Sequence, residues 1–418
     1  LDNGIQVAML PKKTRGESVQ FRLNYRIGNE QSLMNKGKAG SYAARMLNKG
    51  TSTMTREQIK DEFDRLKANV GIFGGASSLS VSIETTRENF AEVLKLVNKV
   101  LRDPSFPEDE FEKLKIEEIT GIESQRSEPT AIASIKLSKH TNAYPKGDPR
   151  YAEDFDETIA GIKALKLDDV KKFYKDFYGA NPGSTMAIVG DFDTDETKKL
   201  VNELFGDWKS PVKYERLVAK IKKTEALNEN IETPDKANAF FLALQQMEIN
   251  DSHADYPALV LGNFMLGGGF LNSRLATRIR QKEGISYGVG SGFSAGTLDN
   301  IGTFQGYAIY APENVKRLEA AFKEEIQKVI DEGFTDEEVA AAKSGWLQNR
   351  SVSRAQDGSV ATMLSNNLFT GRTMLWEKEL DDKVGALTAA QINAAMRNHI
   401  KLENMHMVKA GDFAKSKN

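Results

Sequence analysis

Cysteine is absent from the 418 residues, which excludes disulfides, thiolate metal sites, iron–sulfur clusters and a cysteine nucleophile together. Histidine is scarce: His140, His253, His399 and His406 are all there are. No two stand three or four apart, so local spacing puts no pair of imidazoles on one helix face, and isolated histidines of this kind read as structural or exposed. A G-x-S-x-G elbow for a serine nucleophile is missing. The glycine clusters Gly267 to Gly269 and Gly284 to Gly292 lack the G-x-G-x-x-G and G-K-[ST] patterns that cradle phosphate, which argues against nucleotide binding. No window approaches the roughly 18–20 apolar residues of a membrane helix. Charge of one sign is also lacking: 57 Lys plus Arg against 59 Asp plus Glu leaves a formal −2, without the basic footprint that nucleic acid requires. The chain starts at Leu1 rather than Met, and the expectation is of an upstream piece removed, a signal peptide or a whole preceding domain.

What is present is a mixed α and β pattern. Val19, Phe21, Leu23 and Tyr25 alternate with polar residues, the period of a half-buried strand. Thr55 and Gln58 form a capping-box pattern ahead of Ile59, Phe63 and Leu66, and Phe90, Val93, Leu94, Val97, Val100 and Leu101 repeat at helical spacing. Between these two helices Leu79, Val81 and Ile83 alternate with serines, entered through Gly74 and Gly75, which predicts a strand. Two patterns then recur. Ala164 to Phe192 and Ala386 to Phe413 share a helix, a polar turn and a short strand ending in Gly-Asp-Phe; the segments starting at Glu88 and Glu313 share helix, acidic turn and helix. The offsets are nearly equal and the order is kept, so the chain is read as two copies of one domain. The domains are 1–210 and 233–418, with 211–232, in the Lys- and Glu-rich stretch Ser210 to Glu232, as linker.

Lys38 to Thr55, KAGSYAARMLNKGTSTMT, resembles the active-site helix of the pitrilysin and insulinase family of zinc peptidases, with Met46, Leu47, Lys49, Gly50 and Thr51 fitting the frame. On that frame the inverted motif H-x-x-E-H falls on Ser41, Ala44 and Arg45, so both histidine ligands and the general base are missing. The third ligand of the family, a glutamate on a later helix, matches Glu118, with Glu117 one residue away. An Arg45–Glu118 ion pair is expected to replace the metal as a tie between the two helices. Phe264 to Phe293 resembles the G-G-x-x-S-R-L…R-x-K-x-G-x-x-Y segment of the same family, which places Arg280 near a helix end and Tyr287 on the next strand. The resemblance implies that these two, with Gly267, Gly268 and Gly269, meet the substrate backbone and its developing oxyanion, a task suited to a guanidinium and a phenol. It also implies that the Gly74 to Glu84 strand lies where the family keeps an edge strand that pairs with extended peptides.

The expected fold is therefore α+β: two homologous domains, each a mixed or antiparallel sheet with helices on one face, as in processing peptidases and LuxS-like metalloendopeptidases. The expected function is that of a metal-free half, not an enzyme alone, holding no cofactor itself. It would close on a zinc-bearing homologous half, a separate subunit or an upstream part of the same polypeptide, and grip unfolded or short peptides. The alternative is a scaffold subunit without catalytic contribution, like metal-free relatives in respiratory complexes. The family habit of acting outside the bacterial cytoplasm suggests the periplasm or cell envelope.

Overall fold

The computed structural model describes residues 1–415; positions 416–418, the end of the second domain as read above, lie outside the described residues. Ten strands form two five-stranded sheets. In the first, β1 (Gln6–Pro11), β2 (Ser18–Arg26), β3 (Asn69–Gly74), β4 (Ser78–Thr86) and β5 (Thr185–Gly190) lie in the order β1-β5-β2-β4-β3. In the second, β6 (Asn228–Glu232), β7 (Ala239–Met247), β8 (Ser286–Ala295), β9 (Gly302–Tyr310) and β10 (His406–Gly411) lie in the order β6-β10-β7-β9-β8. Only the β1–β5 and β6–β10 pairs are parallel; the other pairings are antiparallel. The two orders are the same when each strand is matched to its counterpart, so the repeated sequence patterns are repeated structure. The fold is α+β with two mixed sheets, and helices pack on them.

Local chemistry sets the elements. The inward face of β2 places Val19, Phe21, Leu23 and Tyr25 in the first core with no exposed surface, and Phe21 meets Phe90 of the helix Arg87–Arg102 at 6.4 Å between ring centroids. Thr55 and Gln58 cap the helix Arg56–Arg65 reciprocally, satisfying donors that the first turn would otherwise leave unpaired.

β5 and β10 are buried along their whole length, because each is covered on both faces. One face joins the main core of its own half, through Met186 and Ile188 in β5 and Met407 in β10. The other face is covered by a helix from the opposite half. Val360 and Ala361 of the helix Asp357–Thr370 pack on Ala187 and Val189, while Ala133 and Leu137 of the helix Pro129–Thr141 pack on Leu242, Val408 and Ala410. Ser365 of the first exchanged helix, buried, bonds Thr185 and accepts from Asn24, both at 2.8 Å. The sequence pattern placed helices on one face of each sheet; the exchange adds a helix to the second face.

The expected linker needs one correction. Asn228–Glu232 is β6, an edge strand of the second sheet, and a parallel pairing with β10 supplies the backbone partners that a linker lacks. Its alternation of exposed and half-buried residues has too little apolar character to read as a strand. β6 is pinned by a buried charge: Lys409 of β10 donates to Glu319 Oε2 at 2.6 Å and to Asn228, and Asn228 donates to Glu319 Oε1 at 2.8 Å. Burial opposes the Glu319 charge, but the bonds from Lys323, Lys409 and Asn228 outweigh it and bring the carboxyl down to about 2. Glu319→Ala leaves Lys409 buried without its counter-ion and should cost about 3 kcal/mol in denaturant unfolding. Because the folded pKa is depressed, the contribution is complete above the ordinary glutamate value and should fade as pH drops from about 4.5 towards 2.

Candidate functional site

The helix Gly37–Met46 carries the positions of the degenerate motif. Small residues let it lie hard against the β3–β4 turn. A Cβ on Gly40 would meet Ala76 Cα at 2.8 Å, and one on Gly74 would meet Ala44 Cβ at 2.6 Å. Ala44 is thus buried where the motif's frame has a glutamate. Ser41, half-buried, lines a cleft of ≈ 820 Å³ whose walls include Gly75, Ala76, Lys172 and Phe173. Arg45, next on the same face, reaches the helix Glu108–Gln125 and donates to Glu118 Oε2 at 2.5 Å. Glu118, not Glu117, is therefore the carboxylate that faces the motif helix. Below them Tyr42 is buried, edge-on to Phe111 at 5.8 Å and 5.4 Å from the Arg45 guanidinium. Burial first, and then the Glu118 charge, push its phenol well above the usual range, so it stays neutral.

Chemically this cluster can join two helices but offers no activated water. Four residues that could otherwise surround a cation present a hydroxyl, a methyl, a guanidinium and one carboxylate already engaged by the guanidinium. The side chains of Arg45 and Glu118 are 40% and 26% exposed, so solvent screens the pair and its coupling stays near 0.2–1 kcal/mol.

One sequence reading about this region is corrected. The Gly74 to Glu84 strand is not an edge: β4 lies between β2 and β3. The open edge is β3, whose Phe73 is 66% exposed, and the alternation of β4 with serines reflects a strand with one core face rather than a free margin.

The second candidate region spans two π-helical segments, Phe264–Gly268 and Ala276–Lys282, followed by β8, the edge strand of the second sheet. Gly267 is buried against β8; a Cβ there would strike Ser291 Oγ at 2.3 Å and Ser291 N at 2.5 Å. Its missing side chain serves close helix–strand approach. Gly269 sits 2.8 Å, from its would-be Cβ, to Phe264 O, and Gly268 is exposed. The arginines of this run differ sharply in their surroundings. Arg274 is held by Glu338 at 2.7 Å, and Arg278 by Glu324 at 2.8 Å and by Glu283. Arg280 is exposed, with no hydrogen bond or ion pair among the described residues. Tyr287 is 61% exposed and is the extra residue of a β-bulge: Ser286 pairs with Tyr310 and Gly288 with Ile309, leaving Tyr287 between them unopposed. Ser286 Oγ donates to Ile309 O at 2.7 Å and accepts from Gly288 N at 3.2 Å, which stabilises the irregular backbone. A bulge re-aims a side chain at a sheet edge. Ser-Tyr-Gly, a hydroxyl and a glycine around the aromatic, is the only local sign of it.

A profile described as "Peptidase M16 inactive domain" matches residues 164–345, from the helix before β5 through the Arg280 and Tyr287 segment. Over this stretch the chain carries a peptidase M16 domain, of the pitrilysin and insulinase family. It is 21% identical over 386 residues to the "Non-peptidase homolog YmxG" of Helicobacter pylori, covering 92% of this chain and 87% of that protein. Other relatives are named uncharacterized zinc proteases. The crystal structure of a peptidase M16 inactive domain from Pseudomonas fluorescens superposes with a TM-score of 0.82 at 25% identity, over 98% of this chain and 96% of that one. The periplasmic protease PqqL of Escherichia coli has the same fold, TM-score 0.77 at 14% identity, over 98% of this chain but 44% of its own. This M16 chain thus matches less than half of that longer polypeptide. Among the described residues no helix is long and apolar enough to cross a membrane.

Two outcomes test the reading of the motif helix. A double-mutant cycle on Arg45→Met and Glu118→Gln should return no more than about 1 kcal/mol of coupling in chemical denaturation. Ala44→Glu, which restores the motif's carboxylate, should lower stability by about 1–3 kcal/mol through overpacking against Gly74 and the β3–β4 turn.

Proposed function

We propose that this chain is the non-catalytic half of an M16 zinc peptidase, which closes on a zinc-bearing homologous half and contributes Arg280 and Tyr287 to binding of the substrate peptide. The observation that carries the reading is the contrast within one arginine run: Arg274 and Arg278 are neutralised by glutamates, whereas Arg280 is left free and exposed beside a bulged, exposed tyrosine. A free guanidinium and phenol on neighbouring elements are donors without acceptors among the described residues, suited to a peptide carbonyl and to charge developing on its oxygen. Ser41, Ala44 and Arg45 supply neither metal ligands nor a base, so zinc and the attacking water belong to the partner half. The open margins β3 and β8, with Phe73 and Tyr287 on them, suit extended peptides, which add to a sheet edge through sequence-tolerant backbone bonds. Unfolded or short peptides are then the substrate class, and the periplasm or cell envelope the compartment. The name of the Helicobacter relative, a non-peptidase homolog, favours a second reading, a scaffold that uses the fold for assembly alone.

Reconstitution separates the two. The chain is mixed with a zinc-bearing M16 chain from the same genome, and cleavage of unfolded casein is followed, with complex formation measured in parallel. Arg280→Ala with Tyr287→Ala should lower kcat/KM about 100-fold while the complex still forms. Unchanged cleavage by an intact complex carrying both substitutions would leave the scaffold reading in its place.

A further inference from the structure

The histidines, scattered in sequence, meet in pairs. His140 and His406 lie edge to face at 4.8 Å, and His253 and His399 at 5.3 Å. The second pair has a third member. One ligating atom each from His253, Asp255 and His399 lies within 4.8 Å of the others. We propose that these three residues form a binding site for a divalent transition cation, zinc by preference, in a part of the second half separate from the degenerate peptidase motif.

Three elements build the site. His253 lies in the turn before the helix Tyr256–Asn263, Asp255 is the N-cap of that helix, and His399 ends the helix Ala389–His399. The turn is anchored by Arg372, which donates to both carboxylate oxygens of buried Asp251 at 2.6 Å. The backbone of His399 is held by buried Gln245, whose Nε2 donates to His399 O at 2.8 Å and whose Oε1 accepts from Lys401 N at 3.0 Å. Asp255 N donates to His253 Nδ1 at 3.1 Å; this engages the Nδ1 lone pair and leaves the ring proton on Nε2, so an ion is taken up at Nδ1 in exchange for that bond. His399 Nε2 lies 2.8 Å from Asp255 Oδ2.

A salt link between helix ends, with imidazolium at a C-terminus and carboxylate at an N-terminus, would account for Asp255 and His399. It does not call for His253, whose ring the turn holds against both. Two imidazoles and one carboxylate are a borderline nitrogen and oxygen donor set that suits zinc over calcium or magnesium. Zinc bonds of about 2.0–2.1 Å put tetrahedral ligands about 3.4 Å apart, so the set closes by rotation of exposed His253. A ≈ 630 Å³ cleft lined by His253, Pro257, Trp376, Leu380 and Lys383 opens beside it, which gives an ion its path in and leaves room for a further ligand.

The test is titration of the full chain, stripped with chelator, with Zn2+ by calorimetry and with Co2+ by visible absorption. One equivalent should bind, with a cobalt d–d band, and zinc should raise Tm. His253→Ala and His399→Gln should each weaken binding at least about tenfold, and Asp255→Asn should weaken it too. His140→Ala should bind as the parent does. The zinc-dependent rise in Tm should vanish in His399→Gln, a readout that holds even if that variant starts less stable. Absence of saturable binding in the parent chain, or binding lost in His140→Ala and kept in His399→Gln, would overturn the site.

Discussion

β5 and β10 are buried on both faces, and a strand of that kind has to be covered on both sides. In each half the local helices cover only one. The second cover comes from the other half, through the helices Asp357–Thr370 and Pro129–Thr141. Neither sheet is complete without the opposite half of the chain, and the rest of the structure depends on that exchange. Lys12 with Asp357 and Arg26 stacked 3.9 Å over Phe369 reinforce one side of it.

β3 and β8 are counterpart edge strands of the two sheets, at the ends opposite β1 and β6. Each carries an exposed aromatic side chain, Phe73 and Tyr287, on a strand with unpaired backbone groups. Unprotected edges are where a sheet can take a further strand. Beside β3, the helix Gly37–Met46 has a tight seat through Gly40 and Ala44. Arg45 puts a fixed cation on Glu118 of the facing helix. The seat of the helix rests on small-residue packing, independent of any polar group on its other face.

Much of this was legible from residue order. The capping box at Thr55, the alternation in β2 and the duplicated Gly-Asp-Phe segments gave elements and repeat, because helix caps, strand periodicity and repeats are local or self-similar signals. That Glu118 rather than Glu117 meets Arg45 was decided by the facing of two helices. The edge strand was misplaced by one hairpin, since a strand's neighbours are not written in its own periodicity. β6 was missed because it is short, polar on one side and held by partners some 180 residues away.

Sequence by itself determined which side chains stand at 41, 44 and 45: a hydroxyl, a methyl and a guanidinium, with no histidine or glutamate among them. It also determined the domain repeat, because each copy carries its own pattern. Tertiary structure alone decided that Arg280 is free while Arg274 and Arg278 are paired, and that Tyr287 sits in a bulge. It alone brought His253, Asp255 and His399 together from opposite ends of the second half. Those facts depend on which helix ends and sheet margins are brought together, and spatial proximity between distant segments is set by packing the whole chain.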